Sequence, residues 1–391
     1  MDFERSQRLQ KLPPYLFAAL RQKMAAAKEK GIKVIRIDIG DPDTPTPDLI
    51  VQEMQNRVAD PADPDRHRYG CDRPAGEFPE AIKSFYQRRW GVTLKEEQVS
   101  ITTGSKDAIV QFALGVMNPG DLGIAPVPGY PTYNIGHVFA GGVTYQVPLR
   151  PEDGFLLDFD AIPAEVARLA KILWISYPNN PTTAIAPMEF FSRAVEFGRK
   201  HKIIIAHDAA YSENTYDGYV SPSILQVPGA EDVAVEFFSL SKAFSMTGWR
   251  AGSVVGNASA ISALKTVKDN VDNGQLRAIQ FCAAAALNNA EAIIPPINAI
   301  YQRRRDRAIA ALNAAGWRLE KPKATIYIWA PVPERYQGDS GAFATDLLET
   351  TGVMVTPGRG YGQWGEGFFR ISLTYPDAVL KEALERIVAM K

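Results

Sequence analysis

The 391-residue chain is poor in the residues that disulfides and metal sites require. It has two cysteines, Cys71 and Cys282, and four histidines, His67, His137, His201 and His207. No CxxC pair occurs and the histidines stand far apart, so a reducing compartment and no structural metal are expected. Net charge is also lacking: 43 Lys and Arg face 44 Asp and Glu, a formal charge of −1. That balance speaks against a basic nucleic-acid surface or an anionic-membrane surface. No run approaches the ~18 apolar residues of a membrane span. The N-terminal MDFERSQRLQKLPP mixes charges where a signal peptide needs an apolar stretch, so a cytoplasmic location is expected. Internal repeats and low-complexity segments are absent. What is present is a globular composition, 46% hydrophobic and 22% charged, and enough chain for two or three units at roughly 150 residues each.

Residues 14–30, PYLFAALRQKMAAAKEK, read as a helix stopped at Gly31 and preceded by an extended, proline-bearing arm. From about residue 80 to 256, short apolar runs alternate with helical stretches: VSITT, LGIAP, VTYQVP, KILWIS, KIIIAHD, VAVEFFS and GSVVG. Continuous apolar strands between helices predict a mostly parallel sheet covered on both faces, the α/β class. After Asn257 come long helices, then YIWAPVP, VMVTPG and FFRISLT and a last helix, the pattern of a smaller α+β domain. The arginine-rich YQRRRDR at 301–307 reads as a solvated helix face.

Ligands of open α/β sheets sit at the carboxyl ends of strands, and several of these ends carry chemistry. Gly360, Gly362 and Gly365 fit GxGxxG, but they lead into a strand-like segment, so no dinucleotide site is expected there. VSITT instead runs through Gly104, Ser105 and Lys106 into a helix, which presents free backbone N–H groups to a phosphate or forms an ordinary capped helix. In SLSKAFSMTGWR, Lys242 follows a buried strand, and its place between that strand and AFSM leaves two readings. Desolvation makes it a neutral, nucleophilic amine fit for a Schiff base, or it is a partly exposed surface lysine. Ser239, Ser241 and Arg250 frame it and suit a dianionic phosphate. YPNNPTT supplies Asn179 and Asn180, and HDAAYSE places Asp208 at a strand end with Tyr211 one helical turn on. A buried carboxylate there needs a partner, which a protonated pyridine nitrogen provides and the cap of a following turn also provides. His207 reads as a core residue.

GSKDAI, PGYPTY, YPNNPTT, HDAAYSE, SLSKAFSMTGWR and FFRISLT, in this order and spacing, resemble the fold-type I, class I/II aminotransferases that use pyridoxal 5′-phosphate. The likeness covers nearly the whole chain. Within that superfamily LPPYLFAAL, DIGDPDTPTP, HRYG, HDAAYSENTYDGY and FFSLSKAFSMTGWRAG are most similar to the LL-diaminopimelate aminotransferases.

The resemblance implies roles residue by residue. Lys242 forms the Schiff base and shuttles the proton; Asp208 keeps the pyridine nitrogen protonated. Asn180 and Tyr211 hydrogen-bond the ring oxygen, and Tyr130 stacks on the ring. The phosphate rests on Ser105, Lys106, Ser239, Ser241 and Arg250, with Tyr69 reaching in from the partner subunit. Arg370 clamps the substrate carboxylate, with Gly40 and Tyr15 closing over it. Asp72, three residues after Tyr69, receives a distal ammonium or is a solvated loop acid, and Asn273 is a further substrate contact. Two places depart from the family pattern: Thr183 stands where glycine is usual, and AFSMTG replaces the commoner TYNMTG.

The implied protein is a homodimer with shared active sites that takes an amino-acid donor and a 2-oxo acid acceptor. It has an arm and part of a small domain at 1–45, a large cofactor-binding domain at 46–290 and a C-terminal small domain at 291–391. The implied reaction is transamination of LL-diaminopimelate with 2-oxoglutarate in lysine biosynthesis. Alternatives are a broader alanine, aspartate or aromatic aminotransferase and, of another class, a non-catalytic binding or regulatory protein on the same fold.

Overall fold

Seven apolar runs between residues 99 and 256 pair into one sheet in the computed structural model, which describes residues 1, 3–12, 16–70 and 75–390. In chain order the strands are β1 (Ile35–Arg36), β2 (Val99–Thr102), β3 (Leu122–Val127), β4 (Val143–Pro148), β5 (Ala170–Ile175) and β6 (Ile204–Asp208). They continue with β7 (Ala234–Ser239), β8 (Gly252–Gly256), β9 (Tyr327–Pro331), β10 (Val353–Met354), β11 (Thr356–Pro357) and β12 (Phe368–Ser372). The large sheet has the order β2-β8-β7-β6-β5-β3-β4. From β4 to β7 every pairing is parallel, and only β8 runs the other way, antiparallel to both β7 and β2. Because β8 opposes both neighbours, β2 points with the rest. The carboxyl ends of β2, β3, β5, β6 and β7 therefore share one edge, the edge at which ligands of open α/β sheets bind.

Burial explains why these runs are strands. Five of six residues of β5 and all six of β7 are buried, as expected for a sheet covered on both sides. Alternation then sorts the side chains by face. Ile172 and Trp174 share one core with Phe112 of helix Ser105–Val116, whose ring lies 6.2 Å from Trp174 and 5.4 Å from Phe237. Leu173 and Ile175 share another with Phe191 and Val195 of helix Met188–His201. Each such side chain stabilises the fold by roughly 1.5–3 kcal/mol.

One carboxylate interrupts β7. Glu236 is fully buried and accepts from Tyr86 Oη (2.8 Å), Ser223 Oγ (2.9 Å) and the Ile224 N–H (3.1 Å). His207 Nδ1 meets it at 2.9 Å, with Nε2 2.9 Å from the Tyr177 carbonyl, so His207 lies in the core as expected. A buried acid surrounded in this way satisfies the pairing that desolvation demands.

A second, antiparallel sheet has the order β11-β12-β9, and β1 pairs parallel with β10, which brings the N-terminal segment beside the C-terminal region. The 25-residue helix Ala290–Ala314 carries the arginine cluster. Here the solvated-face expectation needs correction: the side chains of Arg303 and Arg307 are 47% and 64% exposed, but those of Arg304 and Arg305 are 7% and 0% exposed. Consecutive residues on a helix are about 100° apart, so the three arginines 303–305 cannot share one face, whereas Arg303 and Arg307, four apart, do. Arg305 pairs with Asp217 at 2.7 Å and donates to the Pro322 carbonyl at 2.8 Å.

The arm also differs in part from expectation, since Gln7–Gln10 form a single helical turn, and Arg8 Nη1 donates to the Phe139 carbonyl at 3.0 Å. The first long helix is Leu16–Glu29, and Gly31 follows with φ +77°. The GxGxxG glycines lie in short turns that lead into β12, without a strand-turn-helix unit. Among the described residues no helix is long and apolar enough to cross a membrane.

Candidate active site

The Ser239 hydroxyl, at the end of β7, accepts from the Ser241 N–H (3.2 Å) and caps the single helical turn Leu240–Ala243. That turn carries Lys242 inward, and its Nζ donates to the Gly40 carbonyl at 2.6 Å. Burial lowers the pKa of the amine, against the opposing pull of Tyr327 and Asp41. Residue 40 must be glycine, because a Cβ would collide with the Tyr327 hydroxyl and ring.

Asp208 ends β6 and is 5% exposed. Its Oδ2 accepts from Tyr133 Oη at 2.8 Å, while Oδ1 is buried with no hydrogen-bond partner, and burial raises the pKa of the acid. The Tyr133 ring stacks on Trp174 at 4.8 Å and 8°, and Trp174 Nε1 donates to His137 Nε2 at 3.0 Å. Burial pushes His137 down to about 4, so its ring is neutral near pH 7 and Nδ1 carries the hydrogen toward Thr144 Oγ1, 2.8 Å away. Tyr211 does lie beside the site, but on tight turns (Ser212 N–H to Ala209 carbonyl, 3.0 Å) instead of the expected helical turn. Its hydroxyl is 2.9 Å from that of Tyr327, and burial raises its pKa.

Arg370 arrives from β12. Its Nη1 donates to Asn180 Oδ1 and its Nη2 to the Asp38 carbonyl, both at 2.7 Å, and its Nε is buried without a partner. The guanidinium carbon is 3.9 Å from the Tyr327 ring centroid and 5.1 Å from that of Tyr361. The adjacent asparagines divide the work. Asn179 holds its own turn, receiving the Thr182 N–H (3.1 Å) and hydroxyl (2.9 Å), whereas Asn180 faces the arginine.

The strand-to-helix junction at β2 has the geometry of an anion cradle. Gly104 has φ +85°, and a Cβ there would stand 2.6 Å from Arg250 Nη2, so only glycine admits the guanidinium so close to the first turn of helix Ser105–Val116. Arg250 Nη2 donates to the Thr103 carbonyl at 3.2 Å. Gln275 Nε2 ties both edges of the cradle together, at 2.8 Å from the Thr102 carbonyl and 2.6 Å from that of Arg250. Ser105 and Lys106 open the helix and Ser241 is buried nearby in sequence to Lys242. Tyr130 meets Tyr133 edge-on at 5.9 Å.

Two of the expected residues are exposed on the described chain and two lie outside it. Tyr69 is 70% exposed, and Asn273 is an exposed loop residue with φ +49°. Tyr15 and Asp72 lie outside the described residues. Tyr133, Tyr327, Tyr361 and Gln275 went unread in the sequence. Tyr133 had a usable signal, as the second tyrosine of PGYPTY next to a strand end. Tyr327 had none, since its place depends on pairing between distant strands.

Residues 32–387 match the family model for aminotransferase class I and II. The chain belongs to that family. This aminotransferase is 47% identical over 385 residues to the LL-diaminopimelate aminotransferase of Moorella thermoacetica, covering 98% of this chain and 97% of that one. The BacF protein of Bacillus subtilis superposes with a TM-score of 0.93 at 35% identity, over 100% of this chain and 98% of the other. A Thermus thermophilus aspartate aminotransferase mutant gives 0.91 at 26% identity, over the full length of both. The family's enzymes are pyridoxal-phosphate-dependent transaminases. The site fits that cofactor on its own chemistry: a cradle for an anion, a desolvated amine, and a buried carboxylate oxygen that lacks a donor.

Thr183, one of the two departures from the family pattern noted in the sequence, has φ +64°. A β-branched residue in the left-handed region is strained by about 1–2 kcal/mol or more, which exceeds the extra chain entropy of glycine, about 0.5–1 kcal/mol. Thr183→Gly is therefore expected to raise the unfolding free energy by about 1 kcal/mol in denaturant titration. A loss of stability would show that the threonine hydroxyl or methyl compensates.

Proposed function

We propose that this aminotransferase transfers an amino group from LL-diaminopimelate to 2-oxoglutarate, a step of lysine biosynthesis. The observation that carries the substrate is identity of 45–47% across nearly the whole chain with several LL-diaminopimelate aminotransferases. Pyridoxal phosphate supplies, when bound, an aldehyde that takes up the amino group and a ring that accepts the electron pair freed at Cα.

The residues divide the remaining work. Ser105, Lys106, Ser239, Ser241 and Arg250 hold the phosphate, by backbone N–H groups at a helix start, hydroxyls and cationic side chains. Asp208, with one oxygen taken by Tyr133, keeps the other for the pyridine N–H. Asn180 and Tyr211 orient the ring oxygen and Tyr130 covers the ring face. Lys242, whose pKa burial lowers, takes the proton from Cα and returns it on the far side of the transfer. Arg370 receives the substrate α-carboxylate in a planar fork, with the Gly40 backbone beside it; a part for Tyr15 rests on the family resemblance alone. Asp72 receives the distal ammonium and Asn273 adds a polar contact.

The protein is further proposed to be a cytoplasmic homodimer with the division 1–45, 46–290 and 291–391, each site completed by Tyr69 of the partner subunit. Its exposure on the single chain supports that placement. A broader amino-donor range is the second reading, favoured by the likeness to an aspartate aminotransferase.

A donor panel with 2-oxoglutarate separates the two readings. The expected kcat/KM for LL-diaminopimelate exceeds those for alanine, aspartate and phenylalanine by about tenfold to a hundredfold, the scale of one charge-assisted hydrogen bond. Equal values across the panel would replace the specific reading by the broad one. Subunit mixing tests the shared site. Lys242→Ala and Tyr69→Ala proteins, each nearly inactive, should regain activity when mixed, because one site of the mixed dimer then has both residues intact. No gain, with subunit exchange verified by native mass spectrometry, places Tyr69 within its own chain's site or outside both.

A further inference from the structure

The segment from Asp38 to Thr46 forms a wall of the site through its backbone. The Asp38 carbonyl receives Arg370, and the Gly40 carbonyl receives Lys242. Two sets of contacts fasten this segment. On one side, Thr44 Oγ1 lies 2.5 Å from Ser245 Oγ, Thr46 Oγ1 donates to the Ser245 carbonyl at 2.6 Å, and Trp249 Nε1 donates to Thr46 Oγ1 at 3.0 Å. These tie it to the loop that follows Lys242.

On the other side stands one guanidinium. Arg304 Nη1 and Nη2 grip Asp43 Oδ1 and Oδ2 at 2.6 and 2.8 Å, Nη1 also reaches the Leu373 carbonyl at 3.0 Å, and Nε donates to Asp377 Oδ1 at 2.8 Å. Helix Ala290–Ala314, the wall segment, the end of β12 and the start of helix Asp377–Val388 thus converge on a side chain 7% exposed. A bidentate fork of this kind fixes direction as well as distance, which a lysine cannot do.

We propose that Arg304 is a positioning residue for substrate binding: by gripping Asp43 it sets where the 38–40 backbone stands over Lys242 and Arg370. The inference rests on the transaminase reading of that site. Arg304 has no contact with the phosphate cradle at 104–106 and 239–250 in its hydrogen-bond set. Loosening the grip should then weaken substrate binding while the cofactor stays bound.

The test uses the holoenzyme and the variants Arg304→Gln, Asp43→Ala and the double variant, with Arg303→Gln as control. Arg303 also approaches Asp377, at 3.4 Å, but lies about half exposed on the solvent side. Expected are KM values for the amino donor and the 2-oxo acid raised about tenfold, with kcat changed by less than about threefold. Cofactor content should be unchanged, and amide hydrogen exchange over residues 38–46 should be faster. The double variant should be no worse than the more affected single one, since both break one contact. The control should match wild type. Unchanged KM in Asp43→Ala, or losses that multiply in the double variant, would overturn the proposal, and Asp43→Ala decides alone if Arg304→Gln does not fold. The hydrogen-exchange arm stands apart from turnover. If wild type fails to transaminate any donor, the function reading falls, while unchanged exchange at 38–46 is what would defeat the grip.

Discussion

A lysine amine carried into the interior of a protein must be neutralised or paired, because an isolated buried ammonium is far too costly. Here the turn that follows β7 drives Lys242 inward, and the group that meets it is the Gly40 carbonyl at 2.6 Å. Much of the remaining site is arranged around this contact. Glycine at 40 is forced by the Tyr327 hydroxyl, which also touches Tyr211, and the Tyr327 ring carries the Arg370 guanidinium. The N-terminal segment, the large sheet and the small antiparallel sheet are thus joined within a few contacts of one amine.

The second organising constraint is the carboxylate at the end of β6. Tyr133 takes one oxygen of Asp208, and its own position depends on stacking against Trp174, which in turn donates to a neutral, buried His137. The same aromatic side chains fill the core on that face of the sheet. Packing and site geometry are therefore coupled here: the aromatic side chains that stabilise the sheet also hold this acid, and its other oxygen is left without a hydrogen-bond partner.

Much of the fold could be read from the chain itself, because the strands are continuous apolar runs and their carboxyl ends carry polar and charged side chains. Lys242, Asp208, Asn180 and the Gly104 junction stand out locally as candidates at strand ends, each with a plain structural alternative, and β8 is the one strand whose reversed direction gave no local sign. What stayed hidden depends on distant pairing. The alignment of β9 with β12 brings Tyr327 beneath Arg370, and Gln275, in the loop just before helix Arg277–Asn288, bonds the Thr102 carbonyl from 173 residues away in sequence. The arginine cluster misled for a related reason. Helical geometry sends adjacent residues in different directions, so composition alone could not tell the exposed Arg303 from the buried Arg304.

The central claim is that the buried amine of Lys242 is the group that bears the cofactor and moves the proton. Absorbance of the purified holoenzyme during an amino-donor addition tests it most directly. The account predicts that the visible band of the bound cofactor fades on adding the amino donor and returns with 2-oxoglutarate in wild type. Lys242→Ala, still folded by circular dichroism, should show neither the band nor the cycle. A Lys242→Ala protein that keeps the band and turns over near the wild-type rate would contradict the account.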